Sequence, residues 1–234
     1  MNTSVRLPDA APDHGHPRKG ENPASGRADH PAAPETGGPV FSGAGDGVET
    51  GMADITSLIL DDHDWFRRQF AQLDDLTDPA ELAEVWQPLA DLLDVHARAE
   101  EEIFYPHLLR RGDDAKEETL DAIGDHNDIR DGVHEAALHP VGSTAWLDAV
   151  RKARMANSEH MAEEEDEGLA DFRRHADPGL REELGRRFAE FKVAHEGARD
   201  LDVSDIDPEG YVEAELGTGV GDGSLGIGSL KERD

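Results

Sequence analysis

Two stretches of this chain, HARAEEE (His96 to Glu102) and HMAEEED (His160 to Asp166), share a pattern in which a histidine is followed four residues later by a glutamate. Residues four apart lie on one helix face, about 6 Å apart along the axis. The pattern alone proves little, because 12 His and 53 Asp and Glu among 234 residues supply about as many such pairs by chance. Position carries the argument. In an antiparallel hairpin two residues stand level when they are equally far from the turn. His63 and His96 are centred inside TDPAEL (Thr77 to Leu82), His96 and His126 inside RRGDD (Arg110 to Asp114), and His126 and His160 inside PVGST (Pro140 to Thr144). Each of these segments reads as a turn. Four histidines, one per helix, therefore converge on one layer.

Working outward, apolar residues recur at helical spacing on both sides of each histidine. The stripes are Ile55, Ile59, Phe66, Phe70 and Leu73; then Leu82, Val85, Leu89, Leu92 and Ile103, with Pro88 predicting a kink; then Leu120, Ile123, Ile129 and Val133; then Trp146, Val150, Ala153 and Phe172. A fifth stripe, Leu180, Leu184, Phe188 and Phe191, follows ADPG (Ala176 to Gly179) and should pack on the bundle or on a partner chain, which would make a homo-oligomer. No strand-like alternation occurs. The expected class is all-α: an up-down-up-down four-helix bundle over residues 52–202, with an additional C-terminal amphipathic helix. Residues 1–51, rich in Pro, Gly, Ala, Asp and His, read as a disordered tail that takes in His14, His16 and His30. Residues 203–234, rich in glycine, read as an irregular tail.

The formal charge of −30, from 53 acidic against 23 basic residues, argues against nucleic acid and anionic membranes as partners. There is no apolar run of signal-peptide or membrane-span type, so the expected location is cytoplasmic. With no cysteine, any metal must be held by nitrogen and oxygen donors.

The four histidines fall on the apolar stripes, and Glu100 and Glu164 sit one turn from two of them. Burying one histidine is ordinary. Burying two carboxylates beside four imidazoles costs several kcal/mol unless the charge is compensated. A metal-free layer would do so by pairing imidazolium with carboxylate; bound cations would do so directly. The spacing from His63 to His96 nearly repeats from His126 to His160, which suggests two copies of one hairpin and a paired metal site. His63, His96, Glu100, His126, His160 and Glu164 are the candidate ligands. Two imidazoles per metal and two shared carboxylates leave positions open on each ion. These donors favour two iron ions, oxo- or hydroxo-bridged, with manganese and zinc as rivals. The Glu-x-x-His motif of ferritin-like bundles and HExxH are both absent.

At these residues the chain resembles the hemerythrin-like, HHE cation-binding family, over about residues 52 to 175: a lone histidine in DDHDWF, HARAEEEIFYP on the second helix, a lone histidine in GDHND, and HMAEEE on the fourth. The resemblance implies a non-haem di-iron centre that binds or turns over dioxygen, peroxide or nitric oxide, with a sensing or storage module as the alternative. Oxygen-carrying members place a further histidine one turn after the ligand on the third helix, where this chain has Arg130. That departure argues against plain oxygen carriage and points toward peroxide. His134 lies too far along the helix to substitute. Tyr105, by regular helical geometry, points away from the stripe. The family's tolerance of a five-residue spacing makes Glu165 an alternative to Glu164.

Overall fold

The computed structural model describes residues 53–217, and every regular element among them is helical. Helix α1 (Ile55–Asp74) starts where Asp54 accepts the Thr56 amide hydrogen, and α2 (Pro79–Ala99) where Asp78 accepts those of Ala80 and Glu81 and proline takes the first position. A π-helical turn, Glu100–Phe104, carries α2 into the short α3 (Tyr105–Leu108). Helix α4 (Ala115–Ala137) is followed by α5 (Thr144–Asp166), capped by Ser143. The stripe expected to run on to Phe172 breaks at Glu167, so Phe172 belongs to a separate α6 (Gly168–His175). Helix α7 (Pro178–Ala194) is capped by Asp177. No helix among the described residues is long and apolar enough to cross a membrane.

Two buried apolar clusters hold these helices together. One gathers Phe70, Leu82, Leu89, Val133 and Trp146; the other gathers Ile59, Ile103, Ile123, Leu169 and Phe188. Along α1 and α4 the chain passes from the second cluster to the first; along α2 it returns, and after α5, whose buried apolar residues all lie in the first cluster, it returns again at Leu169 and Phe172 of α6. Each candidate histidine stands near the crossing point, so the sequence order of apolar residues and the layer of polar ones have one cause. Where α4 meets α5 the backbones nearly touch: a Cβ on Gly132 would stand 2.6 Å from the backbone nitrogen of Ala153.

The fifth amphipathic helix, α7, lays Leu184 and Phe188 against its own chain, in contact with α1 and α2. The tail expected to be irregular from residue 203 is otherwise. An extended segment runs along α2 and α4, where Arg98 donates to the carbonyls of Asp202 and Ser204 and Asn127 pairs with both backbone groups of Ile206. It then forms α8 (Pro208–Gly217) against α4. Backbone groups satisfied by side chains substitute here for a strong apolar pattern. The remaining expectations for the tails fall on residues 1–52 and 218–234, outside the described part.

Candidate metal centre

All six candidate ligands are brought together and buried; none exceeds 6% exposure. His63 comes from α1, His96 from α2, Glu100 from the π-helical turn, His126 from α4, and His160 and Glu164 from α5. The ligand atoms of His63, His96 and Glu100 lie within 4.8 Å of one another, as do those of Glu100, His126 and His160. Glu100 thus belongs to both groups, with Oε1 3.0 Å from His96 Nε2 and Oε2 3.2 Å from His126 Nε2. Glu164 Oε2 is 3.3 Å from His63 Nε2. Glu164, rather than Glu165, turns inward.

What these atoms do not do is equally informative. His63 Nε2, His96 Nε2, both Glu100 oxygens and Glu164 Oε2 are buried without an aligned hydrogen-bond partner. Their neighbours are close, but the lone pairs aim into a common space. The far ring nitrogens explain why. Each carboxylate there can only accept, so Nδ1 carries the proton: His63 donates to Glu165 at 2.9 Å, His96 to Asp62 at 3.0 Å and His126 to Glu101 at 3.0 Å. Asp125 stands 3.7 Å from His160 Nδ1. A neutral imidazole so held presents a bare Nε2 lone pair inward. His126 and His160 face each other through Nε2 at 3.2 Å, an arrangement that repels unless a cation or a proton lies between. Four inward nitrogens and two carboxylates with unfilled acceptor sites fit a pair of cations.

Without cations the same groups must compensate one another by protonation. Burial would lower His96, but Glu100 and Asp62 outweigh it and push the imidazole up to about 10. Burial likewise works against the raised values of His63, set by Glu164 and Glu165, and of His126, set by Glu100 and Glu101. Burial would raise Glu100, yet His96 and His126 hold it well below the usual carboxylate range.

Of the outer carboxylates, Asp62, Glu101 and Asp125 were not anticipated from the sequence and Glu165 was considered only as an alternative to Glu164, though a signal existed. Each is the chain neighbour of an inward-facing residue: Asp62 of His63, Glu101 of Glu100, Asp125 of His126, Glu165 of Glu164. Adjacent helical residues point about 100° apart, so the neighbour of a ligand reaches the flank of the next helix. Two of these carboxylates are themselves each held by a buried cation, and one by a half-buried arginine as well. Lys192 of α7 pairs with Asp62; Arg130 and Arg98 pair with Glu101. Arg130, 1% exposed, therefore turns its guanidinium to Glu101 and Asn127 and supplies no donor that could replace an imidazole.

Tyr105 corrects the expectation from regular helical geometry. The π-helical turn closes with the Tyr105 amide donating to the Glu100 carbonyl five residues back, which brings Tyr105 over Glu100 instead of away from it. Its hydroxyl donates to Glu164 Oε1 at 3.0 Å. Burial, then the charges of Glu164 and Glu100, push the phenol well above 10, so it keeps its proton.

A further grouping joins the exposed Asp113 and His175 to the buried Asp171. Asp171 already accepts from the Asp113 amide at 2.8 Å and from Arg174 at 2.9 Å, which makes it a loop lock with a cation of its own.

The family description "Hemerythrin HHE cation binding domain" matches residues 54–171. No curated protein and no solved structure matches the chain.

Proposed function

As the chain belongs to the hemerythrin HHE cation-binding domain family, we propose that its buried His/Glu layer holds two iron ions and binds or turns over dioxygen, peroxide or nitric oxide. The observation that carries this reading is the set of inward, unpartnered atoms on His63, His96, Glu100 and Glu164, opposed by the His126–His160 pair. His63, His96 and Glu100 would hold one ion and Glu100, His126 and His160 the other, with Glu164 available beside His63. The alternating order of the two apolar clusters along α1, α2, α4 and α5, continued by α6, supports an up-down-up-down four-helix bundle as the scaffold. Bound iron would supply Lewis acidity and redox chemistry toward a small oxygen or nitrogen ligand.

The chain's own residues do the rest. Asp62, Glu101 and Glu165 fix the imidazole tautomers and make Nε2 a better donor. Phe66 and Phe188, both fully buried, pack ring edges on His96 and keep water from that side. Tyr105 holds a proton at its hydroxyl against Glu164, at the edge of the layer, where it can be given to a ligand that gains electrons. Arg130 leaves the α4 side without a fifth imidazole, which favours reaction over reversible oxygen carriage.

A second reading, a gas- or redox-sensing module without turnover, is favoured by the C-terminal segment, whose Tyr211 hydroxyl donates to the backbone carbonyl of Glu101. Changes around His126 would pass through Glu101 to α8.

Elemental analysis tests the site: about two irons per chain are expected, falling sharply in Glu100→Ala and His160→Ala. Full metal retention in both variants would overturn the assignment. Peroxide consumption per iron then separates the two readings, since turnover supports an enzyme and binding without consumption a sensor.

A further inference from the structure

The layer is closed on two flanks and above and below. Phe66, Phe188 and the Lys192–Asp62 pair seal the His96 flank. Arg98, Arg130 and Tyr211 enclose Glu101 on the flank behind His126. The two apolar clusters lie at either end. The groove between α4 and α5 differs. It holds a cavity of about 30 Å³ that reaches Tyr105, His160 and Glu164. That is room for one or two water-sized particles.

The walls of this cavity carry six carboxylates: Glu118, Asp121 and Asp125 from α4, and Glu163, Glu164 and Glu167 from α5 and its end. No lysine or arginine lines it. The crowding is felt by the groups themselves. Burial, then Asp171 and Glu167, pushes Glu118 up to about 7. Such a wall could be no more than a solvated acidic surface. The difference lies at its inner end, where Glu164 is 6% exposed and its Oε2 has no hydrogen-bond partner. The row of carboxylates therefore ends on a buried one with an unsatisfied oxygen at the proposed site.

We propose that the acid-walled cavity between α4 and α5 is the port through which divalent cations enter, handed from Asp121, Glu163 and Glu167 to Asp125 and then to Glu164 and His160. The inference rests on the metal-binding reading above. Exposed carboxylates at the mouth raise the local cation concentration and so act on the rate of entry; the inner donors set the affinity.

The test is stopped-flow uptake of Co²⁺ by the metal-free full-length chain, compared with the triple variant Asp121→Asn/Glu163→Gln/Glu167→Gln. A second triple variant, Asp75→Asn/Glu81→Gln/Glu84→Gln, removes the same charge from exposed positions at the end of α1 and the start of α2. The port variant should load about tenfold more slowly at low ionic strength, with the gap closing in high salt and the final stoichiometry unchanged. The control should load at nearly the wild-type rate. Equal rates in the two triple variants would overturn the port while leaving the metal site standing. Failure of the wild-type chain to take up any Co²⁺ would overturn the metal-binding reading and the port together.

Discussion

Lys192 is the residue whose role is easiest to separate from the ligands. It lies on α7, far from them in sequence, yet it pairs with both oxygens of Asp62, which accepts the Nδ1 proton of His96. At 8% exposure the ammonium is nearly out of water, and Asp62 at 3% more so. Removing one partner of such a pair leaves a buried charge uncompensated, typically at about 3–5 kcal/mol. Lys192→Met should therefore lower stability by roughly that amount in chemical denaturation. It should also weaken metal binding about 10- to 100-fold, because His96 loses its fixed orientation. Asp62→Asn/Lys192→Met removes both charges and should recover most of the stability but not the affinity. Recovery of both would show that Asp62 does not orient His96. Nothing in the sequence singles out Lys192: one lysine in a helix whose other charges are mostly solvated carries no periodic signal.

At the level of elements, α4 contains its own control experiment. Gly132 faces Ala153, where an added methyl group would meet backbone atoms at 2.6 and 2.8 Å. Gly124, on the same helix, has nothing within 4 Å of that position. Gly132→Ala should push α4 from α5 and destabilise by about 1–3 kcal/mol. Gly124→Ala should stabilise by up to about 1 kcal/mol through helix propensity alone. Equal effects of the two would mean that α4 and α5 are not held at close approach. The long helices were legible because each carries an apolar stripe, and all but α4 a capping residue as well, and the convergence of the histidines followed from turn positions alone. The π-helical turn was not, since EEEIF has no residue that distinguishes a five-residue turn from a regular one, and the orientation of Tyr105 depends on it. Helix α8 was missed for a related reason. It buries only Val212 deeply, and its place is fixed by polar contacts from Arg98, Asn127 and Tyr211 that periodicity does not report.

For the whole molecule, the two ways of neutralising the core make opposite demands on pH. In the metal-free chain the layer is held by imidazolium against carboxylate. His96, raised to about 10 in the folded state, contributes stability that is fully present below its unfolded value near 6.5 and is lost as pH climbs toward 10. Glu100, depressed when folded, contributes stability present above about 4.5 and lost as pH falls. The metal-free protein should thus gain most from its layer between about pH 4.5 and 6.5 and weaken above that, by at most about 1.4 kcal/mol per pH unit for each proton released. The metal-loaded protein needs neutral imidazoles, so protons compete with the cations and its advantage shrinks as pH falls. The difference in melting temperature between loaded and chelator-stripped protein should consequently widen from pH 5.5 to pH 9. A gap that stays constant over this range would mean that the histidines do not exchange protons for metal, and the layer would then be a salt-bridged core that cations merely visit.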